Sequence, residues 1–176
     1  MKKDASNNLE RQQGLGEELE RSGRIIWRCR GFSMLPLIRS EHDVVVIEKP
    51  DGSVKPMDVV MYFKRGSDHE YVLHRVIEDA GDHYIILGDN CIGLEKVPKE
   101  DVLGVMRDLI KNGRPYDLDS LKHRAYIRLW IRPWPVRIAI LKGKCRVKRC
   151  WWKSVEILSP YTPRPVKEAI KSLIMK

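Results

Sequence analysis

The chain has few of the features that mark exported, membrane-spanning or metal-stapled proteins. No run of 18 consecutive apolar residues occurs among its 176 residues, so we expect no transmembrane helix. The polar N-terminus has no apolar segment of the kind found in secretory signal peptides. The four cysteines form no CxxC pair and have no histidine at zinc spacing, which argues against a disulfide framework or structural zinc. We expect a cytoplasmic or membrane-peripheral protein with no metal and no cofactor.

Acidic residues are missing from one long stretch. Residues 120–155 contain eleven lysines and arginines and no aspartate or glutamate, whereas the rest of the chain has 22 basic and 24 acidic residues. The net charge of +9 therefore belongs to that segment. Anionic lipid or nucleic acid, if either is a partner, is expected to bind there.

The remaining pattern divides the chain into three parts. Residues 1–24 are polar and predict an arm or a short surface helix. Residues 25–112 contain short β-branched runs separated by turn residues, which predicts a mainly β domain in which sequential strands pair antiparallel. Residues 113–176 are basic and rich in Trp and Pro, with an amphipathic helix expected over about 120–131, capped by Asp117 or Asp119.

Three short motifs within the β part combine groups that can do chemistry. They are Gly-Phe-Ser-Met-Leu-Pro at residues 31–36, Leu-His-Arg-Val-Ile at 73–77 and Leu-Gly-Asp-Asn at 87–90. Alone, a turn serine usually makes local hydrogen bonds, and a strand histidine is usually structural. The other histidines have no such context and are expected on solvated loops or strand faces: His42, His69, His83 and His123.

The order and spacing of the three motifs resemble the signal peptidase I family of serine peptidases and its repressor-type relatives. The resemblance covers about residues 25–109. It implies an antiparallel β fold in which Ser33 is the nucleophile and His74 the general base, as in the endoplasmic-reticulum type. It also implies a polypeptide substrate with small residues flanking the scissile bond. Asp89 matches the acidic motif that closes the active site in that family.

The chemistry of these side chains agrees with such roles. A serine hydroxyl needs a neighbour to remove its proton as it attacks a carbonyl, and a neutral histidine suits that task near pH 7. An acid on the other ring nitrogen fixes the tautomer and is expected to raise the pKa of His74. Asp89 is the first candidate for that acid and Glu95 the second. The alternative for Asp89 is a turn carboxylate that accepts backbone N–H groups.

The chain departs from the family pattern in two places. Gly31 stands where some members have a serine that helps to bind the oxyanion, so backbone N–H groups, including that of Ser33, are expected to form the hole. Family members that process exported proteins carry a transmembrane anchor, which this sequence does not predict, so the chemistry can be shared while the substrate differs. Lys64 makes a Ser–Lys dyad an alternative, although its place at a strand end favours a solvated lysine.

The basic segment has three interpretations. Arg124, Arg128 and Arg132 are four residues apart and would form one stripe on a helix. Such a helix can lie on an anionic membrane, or its apolar side can pack on the β domain. Nucleic-acid binding is disfavoured because no helix-turn-helix pattern precedes the β part. We expect a serine endopeptidase that forms an acyl-enzyme; the alternative is an inactive adaptor on a membrane surface or nucleic acid that retains the fold.

Overall fold

A computed structural model describes residues 14–52, 54–64 and 71–143. Its main element is one eight-stranded antiparallel sheet, which confirms the predicted mainly β fold. The strands are β1 (Arg24–Trp27), β2 (Val44–Glu48), β3 (Val59–Phe63), β4 (Tyr71–Asp79), β5 (His83–Leu87), β6 (Glu95–Pro98), β7 (Val102–Lys111) and β8 (Arg114–Tyr116). They are arranged in the order β1-β2-β7-β3-β4-β5-β6, and β8 pairs with β7.

One helix precedes the first strand, and the others follow the last strand, apart from a short 3₁₀ turn before β7. Helix α1 covers residues 14–22 and α3 covers residues 134–143, while a 3₁₀ turn covers Lys99–Asp101. Between β8 and α3, α2 (Leu121–Tyr126) continues as a π-helix (Ile127–Ile131). The cap of α2 is Ser120, whose Oγ accepts a hydrogen bond from the His123 N–H at 3.2 Å.

The amphipathic helix is therefore found at the predicted place, but the predicted cap is wrong. Asp117 is occupied by the turn before the helix, since its Oδ1 accepts from the Asp119 N–H at 2.8 Å. The chain divides into two compact units, Met1–Trp134 and Pro135–Lys176. All structural features discussed below lie in the first unit.

Sequential pairing is correct for five pairs of consecutive strands and wrong for two, β2–β3 and β6–β7. The β3–β4 and β4–β5 pairs are sequential and antiparallel. Strands β2 and β3, however, do not pair with each other, because β7 lies between them and pairs with both. The turn residues at 50–52 marked the end of β2 correctly, but turn chemistry does not determine which strand lies beside it.

The sheet also continues past the predicted boundary at residue 112. Asn112 and Gly113 both have positive φ, 52° and 73°, as a tight hairpin turn requires. This turn leads into β8, which pairs with the end of β7.

Two apolar clusters form the core. Met61 and Leu73 belong to the first cluster, and Val60 and Val76 belong to the second, because successive side chains of a strand point to opposite faces. Leu19 of α1 is 1% exposed and belongs to the first cluster. Helix α1 is thus a short surface helix, one of the two predicted alternatives, and its Leu19 side chain packs into the core.

Some predictions lie outside the described residues. They concern the arm over residues 1–13, the turn at 65–68 and the basic tail over 144–176 with its two cysteines. Within the described ranges, no helix combines the length and the apolar character needed to cross a membrane.

Gly104 allows β7 to pack closely against its neighbours, which generates a first prediction. A Cβ at this position would lie 2.5 Å from Ile47 Cγ2, 2.9 Å from Leu19 Cδ2 and 3.0 Å from the Glu48 carbonyl oxygen. We expect Gly104→Ala to lower the free energy of unfolding in urea by about 1–3 kcal/mol because the core must shift. Gly93→Ala, where a Cβ meets nothing within 4 Å, is the control and should change it by less than about 0.5 kcal/mol. Equal losses in the two variants would contradict the packing described here.

Candidate active site

Ser33 lies in a turn segment between β1 and β2, and the apolar residues of this segment pack on the core. Met34, Leu37 and Ile38 are all at most 5% exposed and hold the segment on the first core cluster. The Asn90 N–H donates to the Ser33 carbonyl oxygen at 2.7 Å, and Asn90 Nδ2 donates to the Phe32 carbonyl oxygen at 3.1 Å. These bonds hold the first and third sequence motifs together.

His74 brings the second motif to the same place. It lies on β4 opposite Val60 and is 5% exposed. Its Nε2 is 3.0 Å from the position that a Cβ on Gly88 would occupy, and the Ser33 carbonyl oxygen is 2.9 Å from that position. Within the described chain, Nε2 is buried and has no hydrogen-bond partner. The absence of a side chain at Gly88 therefore keeps a small space open between Ser33 and the imidazole.

Glu95 and Tyr62 lie on the other side of the imidazole. Glu95 Oε1 and the Tyr62 hydroxyl oxygen are each 3.3 Å from His74 Nδ1. Burial, with the nearby charge of Glu95 as a second cause, raises the pKa of Tyr62, so its hydroxyl stays protonated. The other Glu95 oxygen is 3.0 Å from Lys64 Nζ. A carboxylate beside Nδ1 favours the tautomer with its proton on Nδ1, which leaves Nε2 as the acceptor.

Asp89 does not lie against the His74 ring, which corrects the first candidate for the orienting acid. Its two oxygens accept from Arg75 Nε at 2.9 Å and from Arg75 Nη2 at 2.8 Å. The Tyr126 hydroxyl also donates to Asp89, at 2.8 Å. His74 and Arg75 are neighbours on one strand and point to opposite faces of the sheet. Asp89 lies on the face of Arg75, and Glu95, the second candidate, lies on the face of His74.

The Arg75–Asp89 pair is fully enclosed by protein. The side chains are 2% and 0% exposed, and Arg75 Nη1 also donates to the Met57 carbonyl oxygen at 2.6 Å. Although burial opposes the charged form, Asp89 raises the pKa of Arg75. The pair joins β4, the 88–90 turn and the segment before β3, and through Tyr126 it also joins α2.

Burial also controls the protonation of His74. Desolvation lowers the pKa of His74 below its ordinary value of 6.5, and the positive charge of Lys64 acts in the same direction. The negative charges of Glu95 and Asp89 oppose this shift without reversing it. The carboxylate of Glu95 raises this pKa as expected, but burial outweighs it, so the pKa of His74 lies below its ordinary value. The imidazole is neutral at pH 7 and able to accept a proton.

Two further expectations meet different outcomes. Lys64 is half-exposed, as expected of a strand end, but it pairs with Glu95. His123 was expected on a solvated surface and is instead 8% exposed, with ring contacts to Tyr116 at 5.8 Å and Tyr126 at 5.9 Å. It lies on the inner side of α2, where burial and then the charge of Arg75 lower its pKa.

An open groove of about 870 Å³ leads to Ser33. One side is formed by the end of β1 and the residues after it, and the other side by the first residues of β4. The residues that line it include Trp27, Arg28, Arg30, Gly31, Ser33, Tyr71, Val72 and Leu73. β5 pairs with β4 only from Arg75 onward, so within the described sheet the start of β4 has a strand partner only on the β3 side.

Sequence reasoning missed two side chains of this site, Tyr62 and Tyr126. Tyr62 looks like one more apolar residue of β3, and Tyr126 lies 37 residues from its partner Asp89. Neither belongs to the three motifs, so no local signal identified them.

Comparison with known proteins found no family model and no curated protein that matches this chain. The resemblance to the signal peptidase I family rests on the three sequence motifs alone.

The buried ion pair generates a second prediction. Asp89→Asn leaves the Arg75 charge enclosed without an anion, so we expect the free energy of unfolding to fall by about 3–5 kcal/mol. Asp82→Asn is the control, because that carboxylate is 88% exposed beside His83 and exposed pairs stabilise proteins little. Urea unfolding followed by circular dichroism measures both. An unchanged midpoint for Asp89→Asn would show that the pair does not hold the fold together.

Proposed function

We propose that this chain is a serine endopeptidase that resembles signal peptidase I, with Ser33 as nucleophile and His74 as general base. One observation carries the proposal: the buried Nε2 of His74 has no partner in the described chain and lies at Gly88 beside the backbone carbonyl oxygen of Ser33. A buried acceptor without a partner is costly in a purely structural site. In a peptidase, the serine proton or the leaving amine satisfies it during the reaction.

In the proposed mechanism His74 first accepts a proton and then donates it. Nε2 accepts the Ser33 proton as Oγ attacks the carbonyl carbon, and then returns it to the departing amine as the acyl-enzyme forms. A water molecule, activated by the same nitrogen, hydrolyses the ester. Glu95 stabilises the positively charged imidazole of each tetrahedral intermediate and keeps Nδ1 protonated, which is the role the sequence first gave to Asp89.

The groove supports an extended polypeptide as substrate. The start of β4 offers backbone groups on its open side, so a peptide can bind there as an added strand. Gly31, with a φ of 100°, has no side chain, so the backbone beside Ser33 stays open to a substrate. Phe32 is 71% exposed next to Ser33 and offers an apolar contact to the substrate.

The alternative is an adaptor that keeps the fold without turnover. Such a protein has no use for a neutral, buried imidazole whose Nδ1 is held by a carboxylate and whose Nε2 borders the serine segment. The arrangement of these three groups favours the enzyme, and a chemical probe separates the two functions.

The third prediction tests the nucleophile and the base. A phosphonylating or acylating serine probe should label the wild-type chain at Ser33, found by peptide mass spectrometry, and Ser33→Ala should abolish that label. His74→Ala should slow labelling by roughly 10²–10⁴-fold, which is the usual contribution of a general base. His83→Ala, on a partly exposed histidine of β5 that pairs with Asp82, is the matched control and should label like the wild type. Undiminished labelling in His74→Ala would remove histidine from the mechanism and favour a base such as Lys64.

The fourth prediction concerns pH. Protonation of Nε2 disables the base, and since burial lowers the pKa of His74, activity on the acid side should persist below pH 6.5. Glu95→Gln removes a charge that raises this pKa. The acid limb of the pH–activity profile should therefore move to lower pH while turnover falls. Lys64→Met removes a charge that lowers it, so the limb should move toward neutral with turnover retained.

The pH dependence of kcat/KM for a soluble peptide measures these shifts. Displacements of the same sign in the two variants would contradict the proposed arrangement around Nδ1.

We also propose that the outer side of the helix over residues 121–131 binds an anionic membrane surface. The inner side packs on the domain, where Ile131 is 0% exposed and Tyr126 contacts Asp89. The outer side exposes Leu121 and Leu129, at 82% and 74%. The exposed arginines of the predicted stripe, Arg124, Arg128 and Arg132, lie on the same segment. Exposed leucines and arginines with no acid between residues 120 and 155 complement the apolar and negatively charged surface of such a membrane.

The fifth prediction tests this partner with the full chain. Sedimentation with phosphatidylserine-containing vesicles should show binding that weakens as salt rises, because salt screens the arginines. Replacing the three helix arginines by glutamine should weaken binding at least ~10-fold, since each basic residue near such a surface contributes about 1 kcal/mol. A charge-matched control replaces exposed basic residues elsewhere in the unit: Lys55, Lys96 and Arg114. Equal binding to neutral and anionic vesicles would overturn this interaction.

A further inference from the structure

Cys91 places a thiol at the space between Ser33 and His74. Its Sγ is 2.7 Å from the position of a Cβ on Gly88, and His74 Nε2 is 3.0 Å from that position. The Cys91 N–H donates to the Gly88 carbonyl oxygen at 2.9 Å, so the turn that carries Asp89 and Asn90 also fixes the thiol. Cys91 is partly exposed.

The thiol therefore borders the same nitrogen that the proposed mechanism uses for Ser33. His74 is 95% enclosed by protein, and its Nε2 has no hydrogen-bond partner within the described residues. A neutral imidazole beside a thiol is the arrangement that makes a cysteine reactive toward electrophiles. Cys91 has no role in the hydrolysis described above.

We propose that Cys91 is a covalent modification site for low-molecular-weight disulfides, and that its modification switches the Ser33 centre off. The site itself follows from the geometry around Gly88. The switch rests in addition on the proposed peptidase function.

The reaction balances as a thiol–disulfide exchange. His74 Nε2 accepts the Cys91 proton, and the thiolate attacks one sulfur of the small disulfide. The disulfide bond breaks, a bond forms between Cys91 Sγ and that sulfur, and the second sulfur departs as a thiolate that takes the proton back. Cys91 is oxidised to a mixed disulfide, one half of the reagent is reduced to a thiol, and an added thiol reverses the exchange.

The bound group blocks the site because of where it stands. Cys91 Sγ, the Ser33 carbonyl oxygen and His74 Nε2 all lie within 3.0 Å of the position that a Cβ on Gly88 would occupy. An adduct on Sγ therefore occupies space that the reacting carbonyl needs. Cys29 lines the groove that leads to Ser33 but is buried, and burial raises its pKa to about 11, so it is the matched unreactive cysteine.

The experiment uses the full chain and 2-hydroxyethyl disulfide at pH 7. Peptide mass spectrometry locates the adduct, and the serine probe reads out Ser33 before treatment, after treatment and after addition of dithiothreitol. We expect an adduct on Cys91, a loss of serine labelling of at least 10-fold, and recovery with dithiothreitol. Cys91→Ser should label as the untreated wild type and resist the disulfide, whereas Cys29→Ser should be inhibited like the wild type.

A Cys91 that stays unmodified overturns the site, and a modified Cys91 with full serine labelling overturns the switch. Inhibition that persists in Cys91→Ser also overturns the switch, because another cysteine would then be responsible. His74→Gln separates this inference from the peptidase proposal, since it should slow modification of Cys91 roughly 10-fold whether or not the chain hydrolyses peptides. If the untreated wild type shows no serine labelling, the peptidase proposal and the switch fail, and the modification rate alone decides the site.

Discussion

The buried pair of Arg75 and Asp89 is the interaction on which the rest of this unit depends. Two charges with almost no solvent exposure are tolerable only when their hydrogen bonds are complete, and here the Met57 carbonyl oxygen and the Tyr126 hydroxyl complete them. Each of these contacts comes from a different segment. The pair thus fixes the 88–90 turn relative to β4. Asn90 of that turn then donates hydrogen bonds to the carbonyl oxygens of Phe32 and Ser33.

The alternation of side chains along β4 separates support from chemistry. Arg75 points to the face where Asp89 and α2 lie, whereas His74 points to the face of Tyr62 and Glu95. One strand therefore positions the proposed base and braces the turn that faces it. Glycine at position 88 completes the arrangement, because any side chain there would meet Ser33, His74 and Cys91 at once.

The sequence predicted what local patterns determine, and it failed where distant contacts decide. β-Branched runs and turns predicted the β fold, and the order of three motifs identified the residues that meet at Gly88. The choice between two acids depended on which face each one reaches, and no motif encodes that. The insertion of β7 between two earlier strands and the burial of Leu19 and His123 likewise arise from long-range packing, which periodicity within one segment does not report.

The protonation of one ring is the most direct test of the central claim that Glu95 prepares His74 to accept a proton from Ser33. Long-range ¹H–¹⁵N NMR of the full chain labelled at histidine nitrogen measures it without a substrate. At a pH above the pKa of His74, the imidazole should carry a proton on Nδ1 and none on Nε2. Glu95→Gln should weaken this preference. A proton on Nε2 in the wild type would contradict the account, because that nitrogen would then be unable to act as the base.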